Sequence, residues 1–161
     1  MFKIIDDKLL SETSKKAIGS ERKRMNYNIH ESLDDPINRL LNAIEPESYV
    51  KPHKHEDPDK REIFVVLKGK LAVIEFNDRG NILSHCILDP KSGVHAIEIP
   101  ARAWHTIISL ESGSVVIEFK DGPYKAINDK NFASWAPDEG SPEALNYNQR
   151  LLKELGIRIA D

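Results

Sequence analysis

Between Ser48 and Lys120 the sequence breaks into short apolar runs separated by turn residues. The runs are SYVKPHKH, EIFVVLKG, KLAVIEFN, NILSHCILD, HAIEIP, AWHTIISL and SVVIEFK; the breaks include EDPDKR, DRG, DPKSG, PAR and ESG. Runs this short, bounded by glycine, proline and charge, read as strands. Evenly spaced strands without intervening helices close into an antiparallel sandwich or barrel, because a parallel sheet needs a crossover between its strands. The expected fold class is therefore all-β.

The flanks differ. Residues 6–18 predict a short amphipathic helix. DDPINRLLNAI opens with Asp35 and Pro36, a helix-start signal, and then becomes apolar enough to run on as a strand toward Glu45. DGPYKAINDKNFASWAPDEG, residues 121–140, is a long irregular segment. In the tail Ser141 is the expected N-cap, with Pro142 at the first helical position and Glu143 near the positive end of the dipole. Leu145, Leu152 and Leu155 form the expected apolar stripe, and Gly156 can end the helix. The chain thus divides into a helix-and-strand arm at 1–47, a β-barrel at 48–120, and a loop and helix at 121–161.

The 161 residues suffice for a sizeable core, and a net charge of −3 offers no footprint for nucleic acid. The one cysteine, Cys86, excludes an intramolecular disulfide framework. It reads as a small buried hydrophobe. No run is apolar enough to span a bilayer, and the charged start MFKIIDDK is unlike a signal peptide. A cytoplasmic protein with a small-molecule ligand is the expectation, with a homodimer as its assembly and neither nucleic acid nor membrane as partner.

His53 and His55 stand one residue apart at the head of this region, so on a strand they share a face while Lys54 takes the other. Two such imidazoles can grip one metal ion. Glu62 opens the next run, and an antiparallel hairpin across EDPDKR would return it to the histidines. His105 comes later, in PARAWHTII, and a barrel would have to bring it across. Three imidazoles and one carboxylate suit one divalent transition metal such as Zn, Fe, Ni or Mn, and leave positions open for a ligand.

His53-Lys54-His55, Glu62 and Gly69 resemble the first motif of the cupin superfamily, with a longer gap before Glu62 than is usual. Gly93, Pro100 and His105 resemble the second, with Arg102 where a glycine is usual and Ser109 where an asparagine is usual. RMNYNIH, RLLNAIEPESYVKPHKH, EIPARAWHTIISLESGSVVIEFKDGPY and KNFASWAPDEG together resemble the WbuC family of cupin-fold metalloproteins, over roughly residues 20–155. That resemblance implies a cupin barrel (a double-stranded β-helix, or jelly roll) with short terminal helices and a bound metal. It also implies a place among proteins of surface polysaccharide biosynthesis.

Of the other candidates, His30 lies in NYNIH and is expected to line the pocket, as are Asn42 and Tyr49. His30 or Glu62 would be the catalytic base. His85 and His95 read as surface residues and Trp104 as core. Glu118 and Lys120 read as a solvated charged face. The functional expectation is a metal-dependent enzyme, an isomerase or epimerase, acting on a sugar or other small oxygen-rich metabolite. The alternatives are a non-haem iron dioxygenase and a non-catalytic binding module.

Overall fold

The computed structural model of the chain describes residues 2–124 and 130–159. Helix α1 (Asp7–Gly19) is capped by Asp6, whose side chain accepts the Leu9 N–H at 2.9 Å. The strands are β1 (Arg24–Asn28), β2 (Ile37–Ile44), β3 (His53–Lys54), β4 (Glu62–Lys68), β5 (Leu71–Phe76), β6 (Ile82–Leu88), β7 (Ala96–Ile99), β8 (Trp104–Ser109), β9 (Ser114–Asp121) and β10 (Asn131–Phe132). Helix α2 (Ala144–Glu154) closes the described chain. No helix among the described residues is long and apolar enough to cross a membrane.

Two five-stranded sheets form, in the orders β1-β2-β9-β4-β7 and β10-β3-β8-β5-β6. Their paired strands are antiparallel. Successive strands alternate between the sheets from β3 to β5, so the chain winds back and forth across one interior. This is the jelly-roll barrel of the cupin type, all-β with a short helix toward each end of the chain. Of the irregular segment expected at 121–140, residues 125–129 lie outside the described residues.

Three apolar layers hold the barrel. Phe64, Val66, Leu71, Val73, Leu88, Ile99, Ile107 and Val116 fill the space between the sheets. Leu10 and Ala17 of α1 cover the outer face of the first sheet at Leu41, Ala43, Val115 and Ile117. Tyr147, Leu151 and Leu152 of α2 cover the second sheet at Ala72, Ile74, Phe76 and Ile108. A helix on each outer face lets the central strands be apolar on both sides, which explains why SVVIEF reads as a continuous run.

Two local expectations change. Ile37–Ile44 is strand throughout, because Asp35 turns the chain by accepting the Ile37 N–H at 3.1 Å and β2 then pairs with both β1 and β9. Two ladders outweigh a helix-start dipeptide. In the tail, α2 begins at Ala144 with Glu143 at its cap and no side-chain cap bond, not at Ser141. Ser141 instead starts a tight turn whose carbonyl accepts the Ala144 N–H at 3.2 Å. The buried face of α2 carries Ala144, Tyr147, Asn148, Leu151 and Leu152, while Leu145 is exposed.

Gly69 ends β4 with φ +79°, beside the register shift at Val66/Lys68. A Cβ there would lie 2.2 Å from Ser114 Oγ and 2.7 Å from Ser114 Cα, so a side chain meets both an unfavourable φ and a neighbouring backbone. Gly69→Ala is expected to cost at least about 2 kcal/mol of stability in urea unfolding. A change of under about 0.5 kcal/mol would place the β4–β9 crossing elsewhere.

Candidate metal centre

Residues directly opposite each other in an antiparallel ladder carry their side chains on the same face. In the first sheet this rule draws one inner row, Asn38–Lys120–Glu62–Ile99. In the second it draws another, Phe132–His53–His105–Glu75. The rows meet inside the barrel, where Glu62 of the first sheet reaches the imidazoles of the second. Glu62 therefore does not return in a hairpin with the His-x-His strand, as the sequence suggested. The six residues after His55 cross from one sheet to the other, which is why the gap is long.

His53, His55, Glu62 and His105 each offer one ligand atom, and these atoms lie within 4.8 Å of one another. All four side chains are buried. His53 Nδ1 lies 3.0 Å from Lys51 O, and His105 Nδ1 lies 2.9 Å from Ala103 O. A carbonyl has no proton to give, so each Nδ1 carries a proton, which leaves Nε2 as the atom that ligates a metal once it is unprotonated. That is the arrangement in which imidazole ligates a metal. His105 Nε2 and Glu62 Oε1 are 2.6 Å apart, yet neither atom makes a hydrogen bond among the described residues. His55 Nε2 lies 3.3 Å from the same oxygen.

Burial favours a neutral Glu62, but the imidazoles of His105 and His55, when protonated, outweigh it and hold the carboxyl well below the usual carboxylate range. Burial, with the charge of Lys130 and the nearby His105, holds His53 well below the usual imidazole range. Three imidazoles and one carboxylate converge on one point, so the donor set fits a divalent transition ion.

The turn before His105 solves the problem of Arg102 standing at a glycine position. Arg102 adopts φ +67°, the left-handed conformation glycine would supply. Its N–H donates to His55 O at 3.1 Å, and its side chain meets Asp59 at 2.9 Å. The turn thereby ties the His55 segment to the His105 segment.

Glu118 and Lys120 are not a solvated face. β9 is the middle strand of its sheet, with α1 outside and the barrel inside, so Glu118 and Lys120 continue the inward side of Ser114 and Val116 and are buried. The signal was in the sequence: a strand apolar on both alternations is covered on both faces, so charge on it points into a site. Asn42 Nδ2 donates to Glu118 Oε2 at 2.5 Å, and Lys120 Nζ lies 3.5 Å from Glu118 Oε1. Burial and the charge of Glu62 outweigh Lys120, Lys130 and Asn42, raising the Glu118 carboxyl.

The remaining expected site residues make their own contacts. Asn42 lies on the inner face through Glu118. Tyr49 packs edge-on against Tyr147, with ring centroids 6.2 Å apart, and donates its hydroxyl to Pro137 O at 2.8 Å. His30 is held at the backbone of Arg39, with Nδ1 2.9 Å from Arg39 O. Trp104 faces away from His105, donates to Asp78 at 2.9 Å and carries Lys54 over its ring at 4.9 Å. Exposed Phe132 sits 6.1 Å from the His53 ring and marks the solvent end of its row. Asn42→Ala strips a buried carboxyl of its amide donor. It should lower stability by about 1–3 kcal/mol, whereas a loss within about 0.3 kcal/mol would show that the bond carries nothing.

Solved structures share this architecture at low sequence identity. The chain is similar to the capsular polysaccharide assembling protein CapF from Staphylococcus aureus, with TM-score 0.59 and 18% identity, covering 70% of this chain and 30% of CapF. It is similar to an L-ribose isomerase from Cellulomonas parahominis, with TM-score 0.53 and 14% identity, covering 78% and 72%. It is also similar to TT1209 from Thermus thermophilus, with TM-score 0.52 and 21% identity, covering 74% and 97%. These likenesses establish the fold. No curated protein matches the sequence. A family model described as a domain of unknown function (DUF6016) matches residues 5–88, just over half of the chain and the part that carries His53, His55 and Glu62. The chain belongs to that family.

Proposed function

We propose that this chain is a metal-dependent cupin enzyme acting on a sugar or other small oxygen-rich metabolite. The observation that carries the reading is the convergence of His53, His55, Glu62 and His105 on one buried point, two of the imidazoles fixed by backbone carbonyls with Nε2 turned inward. Those four residues would hold one divalent ion, and the ion would supply Lewis-acid polarisation of a chelated carbonyl or hydroxyl. The chain's own residues do the rest. Phe64, Val66 and Ile107, packed in the core between the sheets, exclude water from that side. Asn42 orients Glu118, and Glu118 is the buried carboxyl placed to move a proton. Glu62 belongs to the donor set and His30 is held by the Arg39 backbone, which leaves both less suited to that role than the sequence suggested.

The WbuC-like motifs support a role in surface polysaccharide biosynthesis. CapF, a capsular polysaccharide assembling protein by name, and the L-ribose isomerase support sugar chemistry on this fold. A cytoplasmic homodimer that takes a small molecule, and neither nucleic acid nor membrane, completes the proposal. A second reading, a non-catalytic metal-binding module, is favoured by one observation: the four donors are only 2–4% exposed.

Protein purified without chelator is expected to carry close to one equivalent of transition metal per chain by elemental analysis. His55→Ala and Glu62→Gln should each lose most of it while staying folded by circular dichroism. Full retention in either variant would remove that residue from the donor set. Isomerisation of a ketose or aldose probe, followed by solvent deuterium uptake at the carbon beside the carbonyl, separates the enzyme from the module. Oxygen consumption in place of deuterium uptake would point to an iron dioxygenase.

A further inference from the structure

The inner row that holds Glu62 also contains an amide with nothing to bond among the described residues. Asn38 is 2% exposed, and neither its Nδ2 nor its Oδ1 has a hydrogen-bond partner among the described residues. A buried side-chain amide without partners is a stability liability, and folded proteins rarely keep one without a use for it. Its position suggests the use. Asn38 stands opposite Lys120 in the β2–β9 ladder, and Lys120 stands opposite Glu62 in the β9–β4 ladder. The three side chains therefore share the inner face, each about 5 Å from the next, one strand spacing apart.

Gly122 sits two residues beyond Lys120 and packs close against the start of β2 beside the Asn38 amide. A Cβ there would fall 3.1 Å from Asn38 Nδ2 and 2.0 Å from Asp35 O. Lys120 is buried as well, with its Nζ 3.5 Å from Glu118 Oε1. Its ammonium brings positive charge and N–H donors to the row. The row thus presents an ammonium, an amide N–H and an amide carbonyl oxygen side by side, next to the oxygen-seeking end of the barrel.

We propose that Asn38 and Lys120 form a subsite for the carboxylate of a hydroxy acid, beside the metal centre. Lys120 and Asn38 Nδ2 supply one donor to each carboxylate oxygen, a pairing that a charged donor strengthens. Asn38 Oδ1 accepts from a hydroxyl on the neighbouring carbon. The other end of the same molecule lies about one strand spacing away, at Glu62 and the histidines, where its remaining oxygens would chelate. The substrate class is accordingly an acid sugar or polyhydroxy acid rather than a neutral sugar. This inference rests on the metal reading above and adds the second anchor.

Calorimetric titration of the metal-replete full chain with D-gluconate and with D-glucitol tests it. The two probes share a polyol frame, and only gluconate bears the carboxylate. Wild-type protein is expected to bind gluconate at least about tenfold tighter than glucitol. Asn38→Ala and Lys120→Met should each erase most of that preference while metal content by elemental analysis stays unchanged. Asn38→Ala should also melt no lower than wild type, since it removes an unpartnered amide, and so remains decisive if Lys120→Met fails to fold. Equal binding of the two probes by metal-replete wild type would overturn the subsite alone. So would a gluconate preference that survives in Asn38→Ala, which would put the carboxylate on the metal. A chain that takes up no metal would overturn the metal reading and the subsite together, and elemental analysis identifies that case before any titration.

Discussion

A carboxylate buried among three imidazoles is the constraint that orders the rest of this molecule. Moving one ion out of water costs several kcal/mol even after relaxation, so Glu62 can sit in the barrel only if its surroundings offset that cost. Burial pushes its carboxyl toward neutrality and the imidazoles of His105 and His55 pull it back. Those imidazoles help only if their rings are aimed, and for His53 and His105 the aiming is done by the carbonyls of Lys51 and Ala103. Ring orientation is thus a property of backbone two residues upstream of each ligand. The left-handed turn at Arg102, bonded to His55 O, then fixes the two segments relative to each other.

The outer layers serve that interior. Helices on both outer faces let the strands carry apolar residues outward and reserve the inner face near one end for polar groups. The C-terminal loop is fastened at several points: Arg24 bridges Tyr49 O at 2.8 Å and the Glu139 carboxylate at 2.7 Å, and Tyr49 reaches Pro137 O. Tyr49 is therefore part of the frame behind the His-x-His strand. The polar interior is asymmetric in charge, with imidazoles on one sheet and Glu62, Glu118 and Lys120 on the other.

Much of this is legible in the sequence, and what is not has physical causes. Period-two spacing places His53 and His55 on one face, and glycine and proline punctuation marks a barrel. The partner strand of Glu62 is not legible, because a six-residue connection can either close a hairpin or cross a barrel and local sequence does not distinguish them. Glu118 and Lys120 look solvated because charge on a strand usually marks water. Here the strand is the middle one of its sheet and no face of it meets solvent, a condition that its apolar run on both alternations signals and that outweighs the usual meaning of charge on a strand. Asp35-Pro36 and Ser141-Pro142 give helix signals that tertiary pairing and a tight turn override. Asn38 gives no signal at all, since an isolated asparagine near a strand start is ordinary; its lack of partners among the described residues exists only in three dimensions.

The register that joins Ile37 to Asp121 and His53 to His105 also has a consequence for how the protein comes into being. During synthesis the histidine pair and Glu62 leave the ribosome well before His105, Glu118 and Lys120. The second sheet lacks its middle strand, β8, until the chain has passed Ser109, and the first lacks β9 until it has passed Asp121. Contacts this distant in sequence form late and slowly, because the entropy of loop closure opposes them until the ladders are in place. A nascent chain therefore displays two imidazoles and a carboxylate without the frame that aims them, and the buried cluster assembles only once His105 has emerged and the ladders have closed.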